Sequence, residues 1–382
     1  MSESGMRLVA TKDAMGHVLC HDMTQILPGG TDAEGNELPR YKGARFRKGH
    51  VVTAEDVPVL LSMGKAHLYV WQRRPGWLHE DEAARRMAAL CLGEGCVAAG
   101  EPREGKIGIN AAHDGVFLVD SERLAAVNSV DQVMVATRRG NFGVRAGDAL
   151  AGTRVIPLVI DGAVVAQAEA AADVAAHGPL MRVAPYVMRT AAVIATGSEV
   201  KSGLIEDRFT PVVERKLARF GVSVTWRATP GDAMDDVVAA IAEARAAGVD
   251  MVLCTGGMSV DPDDNTPGAI KRAGARIVTY GAPVLPGAML LVGYFDPDAA
   301  DATGAAPQDA APQGAAGEKD ARPVPVVGLP GCVMYSKATV FDLALPRLVA
   351  GVPLEKRDFV AMGEGGLCLG CDPCTFPHCP FA

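Results

Sequence analysis

Between residues 189 and 350, short apolar runs alternate with stretches of helical periodicity. The apolar runs near 191, 222, 250 and 324 predict buried strands, and the periodic stretches 209–220 and 335–349 predict helices. A further helix is expected to begin after Asp232 as its N-cap. Alternation of strand and helix is typical of βαβ units, which build parallel sheets. We therefore predict an α/β domain with a mainly parallel sheet.

The rest of the chain has a different pattern, with short apolar runs separated by turns. Asp114-Gly115 between two such runs predicts a hairpin. Residues 296–322, rich in Ala, Pro, Gln and Gly, predict a mobile insertion in the α/β pattern. The predicted organisation is a small β-rich unit over 1–77, a helix with a second β-rich unit over 78–188, the α/β domain over 189–350 and a cysteine-rich tail over 351–382.

The stretch 251–267 is the most informative, because an apolar strand there changes abruptly into glycine, hydroxyl and acidic residues. In a parallel sheet such a junction lies at the carboxyl end of a strand, where ligands usually bind. Gly256 and Gly257 would let the backbone approach an anion closely. Thr255 and Ser259 add hydroxyl groups.

Three carboxylates follow in the same loop, on Asp261, Asp263 and Asp264. Because carboxylates repel a bare anion, we expect Mg²⁺ between these acids and a phosphate. The alternative is a solvated acidic turn ahead of a helix in which Thr266 is the N-cap and Pro267 the first residue.

Composition and charge exclude some classes of partner. The 382 residues are long enough for two or three domains, and their net charge of −8 is spread without a Lys/Arg block. Nucleic acid and acidic membrane surfaces are therefore not expected as partners. No run approaches a membrane span and no apolar signal core begins the chain, so a cytoplasmic location is expected.

Nine cysteines, five of them scattered, argue against a disulfide framework. The other four form a C-x₂-C-x₂-C-x₄-C-P run of Cys368, Cys371, Cys374 and Cys379. This run is one residue longer than the bacterial ferredoxin pattern, whose fourth cysteine normally serves another cluster, and it suits an iron–sulfur cluster. Its four thiolates, or three with His378, also suit tetrahedral Zn²⁺. A metal-delivery tail and a reduced tail without metal are the alternatives.

Five motifs occur in order along the α/β part, at 196–200, 203–207, 255–267, 286–287 and 328–331. In this order they resemble the molybdopterin-binding domain of molybdenum-cofactor biosynthesis proteins, the type found in molybdopterin molybdenumtransferase and gephyrin. More weakly, 7–72 and 101–160 resemble the N-terminal part of stand-alone molybdopterin-binding proteins. The resemblance implies a three-layer α/β domain and a ligand that is molybdopterin or its adenylylated form.

The resemblance also implies roles for individual residues. Asp264 would support a metal ion and metal insertion, and Asp207 would accept hydrogen bonds from the pterin edge, with Glu199 as a second candidate. The ligand phosphate would lie on backbone N–H groups of the glycine turn. The implied cofactor-binding residues are Thr196, Gly197, Glu199, Thr255, Gly256, Gly257, Ser259, Asp261, Gly328, Pro330 and Gly331.

The chain departs from the family where Leu285 and Ala288 replace frequent lysines and Cys332 replaces a frequent asparagine. With fewer cationic side chains at this motif, direct binding of the molybdate anion by the protein is less expected. The implied function is metal insertion, as in a molybdopterin molybdenumtransferase, or delivery of the cofactor to a client molybdo- or tungstoenzyme, by a homo-oligomer. The alternatives are a non-catalytic cofactor sensor or chaperone, and a nucleotide-processing hydrolase with the same fold.

Overall fold

The computed structural model describes residues 6–31, 37–71, 75–258, 265–297 and 322–381. The chain forms two compact units. The first contains residues 1–112, 119–138 and 146–182, and the second contains 113–118, 139–145 and 183–382.

Up to residue 185 the chain is rich in short strands. The strands are β1 (Met6–Ala10), β2 (Met23–Thr31), β3 (Glu37–Phe46), β4 (His67–Trp71), β5 (Trp77–His79), β6 (Cys96–Ala98), β7 (Lys106–Ala111), β8 (Gly115–Val119), β9 (Val133–Thr137), β10 (Gly143–Val144), β11 (Ala149–Val155), β12 (Val159–Asp161) and β13 (Met181–Pro185). The helices are α1 (Asp56–Ser62), α2 (Glu80–Ala89), α3 (Ser121–Asn128), α4 (Gly162–Ala172) and α5 (Val174–His177), with a 3₁₀ turn at Thr11–Asp13.

These strands form several small sheets. Antiparallel pairs join β1 to β4, β2 to β3 and β5 to β12, and a four-stranded sheet has the order β6-β7-β11-β9. β8 lies in a separate sheet of order β10-β8-β13. The predicted hairpin at Asp114-Gly115 is therefore wrong, because β7 and β8 pair with different partners on either side of that turn.

From residue 190 strand and helix alternate. The elements are β14 (Thr190–Ala195), α6 (Ser198–Lys201), α7 (Thr210–Ala218), β15 (Ser223–Ala228), α8 (Met234–Ala246), β16 (Met251–Thr255), α9 (Thr266–Arg272), β17 (Arg276–Tyr280), β18 (Leu291–Phe295), β19 (Val324–Leu329), α10 (Cys332–Tyr335), α11 (Val340–Val349) and α12 (Lys356–Ala361). They build one six-stranded sheet of order β15-β14-β16-β19-β18-β17, in which the first four strands are parallel and β18 pairs antiparallel with both β19 and β17.

The strand pattern explains why this sheet is a middle layer. Successive strand residues point to opposite faces, and in β16 Leu253 joins one buried cluster whereas Val252 joins the other. The first cluster includes apolar residues of α7 and α11, and the second includes those of α8 and α9. Helices thus cover both faces, and the predicted three-layer α/β class with a mainly parallel sheet is confirmed.

Three predicted helix boundaries are wrong. Helix α9 begins at Thr266 itself after Asn265, and α8 follows Ala233 rather than an Asp232 cap. The helix predicted to begin at residue 335 begins only at Val340, because the side chains of Thr339 and Asp342 form a capping box there; Tyr335 ends the separate short helix α10. The predicted insertion over 296–322 falls on residues 298–321, which lie outside the described part of the chain.

A buried ion pair joins α7 to α11 across the first cluster. Lys216 Nζ donates to Asp342 Oδ1 at 2.6 Å and Oδ2 at 2.7 Å, and the two side chains are only 6% and 5% exposed. Asp342 Oδ2 also accepts from the backbone N–H of Thr339 at 2.8 Å. These bonds satisfy charges that would otherwise be costly to bury. Among the helices that the structure describes, none has the length and apolar character needed to cross a membrane.

Candidate functional site at the carboxyl edge of the parallel sheet

The register of the parallel strands brings three predicted loops to one edge. Ala195 at the end of β14 pairs with Thr255 at the end of β16, and Thr255 pairs with Leu329 at the end of β19. The turns after these strands therefore leave the sheet side by side, where open α/β sheets usually bind ligands. The backbone N–H of Thr196 donates to Thr255 O at 2.8 Å and ties the first two turns together.

Buried threonine hydroxyls link these turns further. Thr196 Oγ1 donates to Thr255 O at 3.1 Å and lies 3.4 Å from Thr266 Oγ1, which donates to Gly256 O at 2.9 Å. The side chains belong to the loop after β14 and to the first residue of α9. This hydrogen-bonded chain fixes the glycine turn in place, a role that the sequence did not reveal.

The glycines of the turn are required by this packing. Gly256 has φ +85° and Gly257 has φ +54°, a left-handed conformation that side chains disfavour. A Cβ on Gly256 would lie 2.4 Å from Thr196 O, and one on Gly257 would lie 2.8 Å from Thr266 Oγ1. Gly328 is restricted in the same way, because its Cβ would lie 2.6 Å from Met258 Sδ. The packing of the turn therefore requires glycine at these positions even without a ligand.

Asp232 holds the turn after β14. Its Oδ2 accepts from Ser198 N at 2.8 Å and Ser198 Oγ at 2.5 Å, and its carbonyl accepts from Asn265 Nδ2 at 3.1 Å. Asp232 therefore connects the loops that follow β14, β15 and β16. The sequence indicated only a helix cap here, because the partners are 34 and 33 residues away.

Charged side chains also lie after β14, in the short helix α6. Gly197 has φ +140°, and Glu199 is exposed. Lys201 pairs with Asp236 at 3.2 Å with over half of its side chain exposed. Lys201 is thus a cation at this edge that the sequence motifs did not indicate.

Asp207 has a structural role at the start of a helix. Its Oδ1 accepts from the backbone N–H groups of Phe209 at 2.9 Å and Thr210 at 3.0 Å, and its Oδ2 accepts from the Thr210 hydroxyl. The carboxylate therefore stabilises the first turn of α7. Its role at a pterin edge stays a prediction.

The loop after β19 begins a short helix. Pro330 O accepts from Val333 N at 3.0 Å and Gly331 O accepts from Met334 N at 3.1 Å. A Cβ on Gly331 would meet no atom within 4 Å, so the edge is open at this position. Burial raises the pKa of the half-buried Cys332 thiol. Ser259, Asp261, Asp263 and Asp264 lie outside the described residues.

Known families match two parts of the chain. Residues 192–350 match a family model described as a probable molybdopterin binding domain, and residues 8–72 match a domain of unknown function. The α/β domain is thus similar to molybdopterin-binding domains, and the predicted resemblance to that family of molybdenum-cofactor biosynthesis is confirmed.

Curated relatives share a short segment with it. A CinA-like protein from Shewanella frigidimarina is 38% identical over 81 residues, which are 21% of this chain and 19% of that protein. A CinA-like protein from Desulfosudis oleivorans is 36% identical over 86 residues, which are 22% of this chain and 21% of that protein. The chain therefore spans about a fifth of the length of these relatives.

Two solved structures are similar at low identity. The tungsten cofactor synthesizing protein MoaB from Pyrococcus furiosus is 19% identical with a TM-score of 0.29, covering 41% of this chain and 89% of that one. The molybdopterin biosynthesis MoeA protein from Pyrococcus horikosii is 15% identical with a TM-score of 0.30, covering 91% of this chain and 75% of that one.

Proposed function

We propose that this protein binds molybdopterin, or its adenylylated form, at the edge where β14, β16 and β19 end. The observation that carries the proposal is the strand register, which brings the turns at Thr196, Gly256 and Pro330 to one edge within the molybdopterin-binding domain. The threonine bonds hold these turns before any ligand arrives, so a ligand meets a site that is already ordered.

The phosphate and its counter-ion are assigned within the same loop. We infer that the backbone N–H groups of Gly256, Gly257 and Ser259 bind the phosphate. The carboxylates of Asp261 and Asp264 bind Mg²⁺ in this proposal. Magnesium would neutralise phosphate charge, and carboxylate oxygens are suitable ligands for it. Among the described residues, Lys201 supplies a cation at this edge.

We favour cofactor delivery over metal insertion. Leu285 and Ala288, which flank the motif Pro286-Gly287, carry no positive charge. Burial raises the pKa of the Cys332 thiol, which disfavours the thiolate form that a soft metal ion binds. With delivery we also expect a homo-oligomer in the cytoplasm and a client molybdo- or tungstoenzyme.

Calorimetric titration of the full chain with molybdopterin in the presence of Mg²⁺ tests the proposal. We expect saturable binding that weakens in the Gly256→Ala variant, with its folded fraction checked by circular dichroism. Absence of measurable affinity for both molybdopterin and its adenylylated form would contradict the proposal.

The roles of the loop acids have a separate test. We expect Asp264→Asn to impair Mg²⁺-dependent steps more than pterin binding, whereas the exposed acid Asp235, paired with Arg272 at 2.8 Å, provides the control Asp235→Asn. If Asp264→Asn impairs the Mg²⁺-dependent steps and pterin binding equally, Asp264 does not act separately on the metal ion. Molybdate-dependent turnover would favour insertion over delivery, and release of AMP from an ordinary dinucleotide without pterin would favour a hydrolase.

A further inference from the structure

The four cysteines of the tail line one cavity. Cys368, Cys371, Cys374 and Cys379 all contribute to its wall. The other lining residues are mainly apolar: Ala338, Leu367, Leu369, Thr375, Phe376, Pro380 and Phe381. About 30 Å³ is enclosed, and the cleft opens to solvent, where Cys371 is exposed.

The tail that carries these cysteines is fixed to the α/β unit. Leu285 N donates to Gly366 O at 2.7 Å, and Cys368 N donates to Leu285 O at 2.8 Å, as in a short parallel bridge. The Phe376 ring lies 6.1 Å from the rings of both Phe142 and Phe381. The cysteines are therefore held around a defined space.

The separation of the sulfurs distinguishes one ion from a cluster. Four sulfurs at about 2.3 Å from a single tetrahedral ion lie about 3.8 Å apart. Among the described residues, the group with three ligand atoms within 4.8 Å of one another is His79, Glu80 and Asp81, and it contains no tail cysteine. No three of the tail sulfurs therefore lie within 4.8 Å of one another, whereas one tetrahedral zinc ion would hold them closer together. In the His79 group, Lys48 already pairs with Asp81.

The spacing of the tail cysteines in the sequence also favours a cluster over a single metal ion. Three cysteines at C-x₂-C-x₂-C match the three that bind one four-iron cluster in the bacterial run, and their close spacing strains closure around one ion. The fourth cysteine of that run binds another cluster, so Cys379 is assigned here by its place in the cavity wall. A cluster separates its thiolates further, and it can extend beyond the enclosed 30 Å³ because the cleft is open beside Cys371.

We propose that Cys368, Cys371, Cys374 and Cys379 bind a four-iron, four-sulfur cluster. Each thiol loses its proton as its sulfur becomes a ligand to one iron. Ala338, in the wall, lies between α10 and α11, and α10 begins directly after the Pro330-Gly331 turn. The cluster would therefore lie beside the segment that continues from the proposed pterin edge. The proposal is independent of pterin binding.

The test uses the full chain purified without oxygen. We expect about four iron atoms and four acid-labile sulfides per chain, with a visible charge-transfer absorption that bleaches on reduction with dithionite. The same signals should return when the apoprotein is treated with ferrous iron and sulfide. One zinc per chain without iron, or no iron after reconstitution, would overturn the proposal.

Variants identify the ligands. Cys371→Ser, at an exposed position, should lower the iron content at least tenfold, and Cys379→Ser should also disrupt the four-iron signature. The control Cys332→Ser removes a half-buried thiol that does not line the cavity and should retain full iron. His378→Ala should also retain it. Loss of iron in His378→Ala but not in Cys379→Ser, with thermal unfolding unchanged in both, would overturn the four-thiolate assignment.

Discussion

The glycine turns at the sheet edge and the cysteine tail are both marked by unusual residues, but the structure uses those residues differently. At the edge, Asp207, Asp232 and Thr196 form hydrogen bonds within the fold. In the tail, the backbone is fixed by its bonds to Leu285, whereas the cysteine side chains surround a space. A polar residue of a motif can therefore be needed for folding before it is needed for binding.

This difference changes how variants must be interpreted. Substitutions at the edge alter the fold and the ligand site together, so loss of binding alone does not identify a ligand contact. Substitutions of tail thiols act mainly on whatever the cavity holds. The predictions below separate the two effects.

The largest effect is expected from the buried ion pair between α7 and α11. Lys216→Met leaves the Asp342 carboxylate buried without its cation, and we expect it to lower the free energy of unfolding by about 3–5 kcal/mol. Urea unfolding measures this. The exposed pair of Arg272 and Asp235 is the control, and Asp235→Ala should cost at most about 1 kcal/mol. Equal costs would mean that burial does not decide the effect.

Gly256→Ala should come next. The added Cβ combines a left-handed backbone with a 2.4 Å approach to Thr196 O, and we expect a loss of roughly 2–4 kcal/mol. Gly331→Ala, at φ −53° with open space around the Cβ, should change stability little. If Gly256→Ala unfolds like the unsubstituted protein but fails to bind molybdopterin, the glycine serves the ligand and the packing explanation is wrong.

Asp207→Ala should have a smaller cost. Removal of the carboxylate that accepts from Phe209 N and Thr210 N should destabilise the start of α7 by about 0.5–2 kcal/mol. Pterin affinity measured at a temperature well below unfolding then reports any ligand contact. Unchanged affinity would remove Asp207 from the site and leave only its role in the helix.

The smallest effect at neutral pH concerns the cysteines buried in the fold, because their contribution to stability changes only in alkaline solution. Burial raises the pKa of Cys20 to about 11 and of Cys91 and Cys254 to about 12. Because the unfolded thiols ionise near pH 9, the unfolded state loses protons that the folded state retains, and stability should fall as pH rises from about 9 to 11. The fall should be about 1 kcal/mol per thiol and pH unit.

Unfolding at several pH values measures this loss, and Cys254→Ala should reduce it. In the metal-free protein, alkylation at pH 8 should modify exposed Cys371 well before these three thiols, because the thiolate is the reactive form. Modification of Cys254 at the rate of Cys371 would show that burial does not protect it.

Sequence periodicity was sufficient for the layers of the α/β domain. Continuous apolar runs report strands buried on both faces, and a period near 3.6 reports the apolar face of a helix; the two buried clusters follow that pattern. Boundaries were less predictable, because caps such as the one formed by Thr339 and Asp342 depend on side-chain geometry. The hairpin at Asp114-Gly115 failed because strand partners are chosen by the whole sheet.

The sequence by itself determined the fold class, the glycine turns at strand ends and the spacing of the tail cysteines, because these depend on neighbours within a few positions. Only the tertiary structure decided that Thr196 bonds to Thr255, 59 residues away, and that Lys216 pairs with Asp342, 126 residues away. It also decided that Asp232 holds a loop and that four thiols surround one cavity. Such partners are brought together by packing of the sheet and its helices, and no local pattern of residues encodes the distances between them.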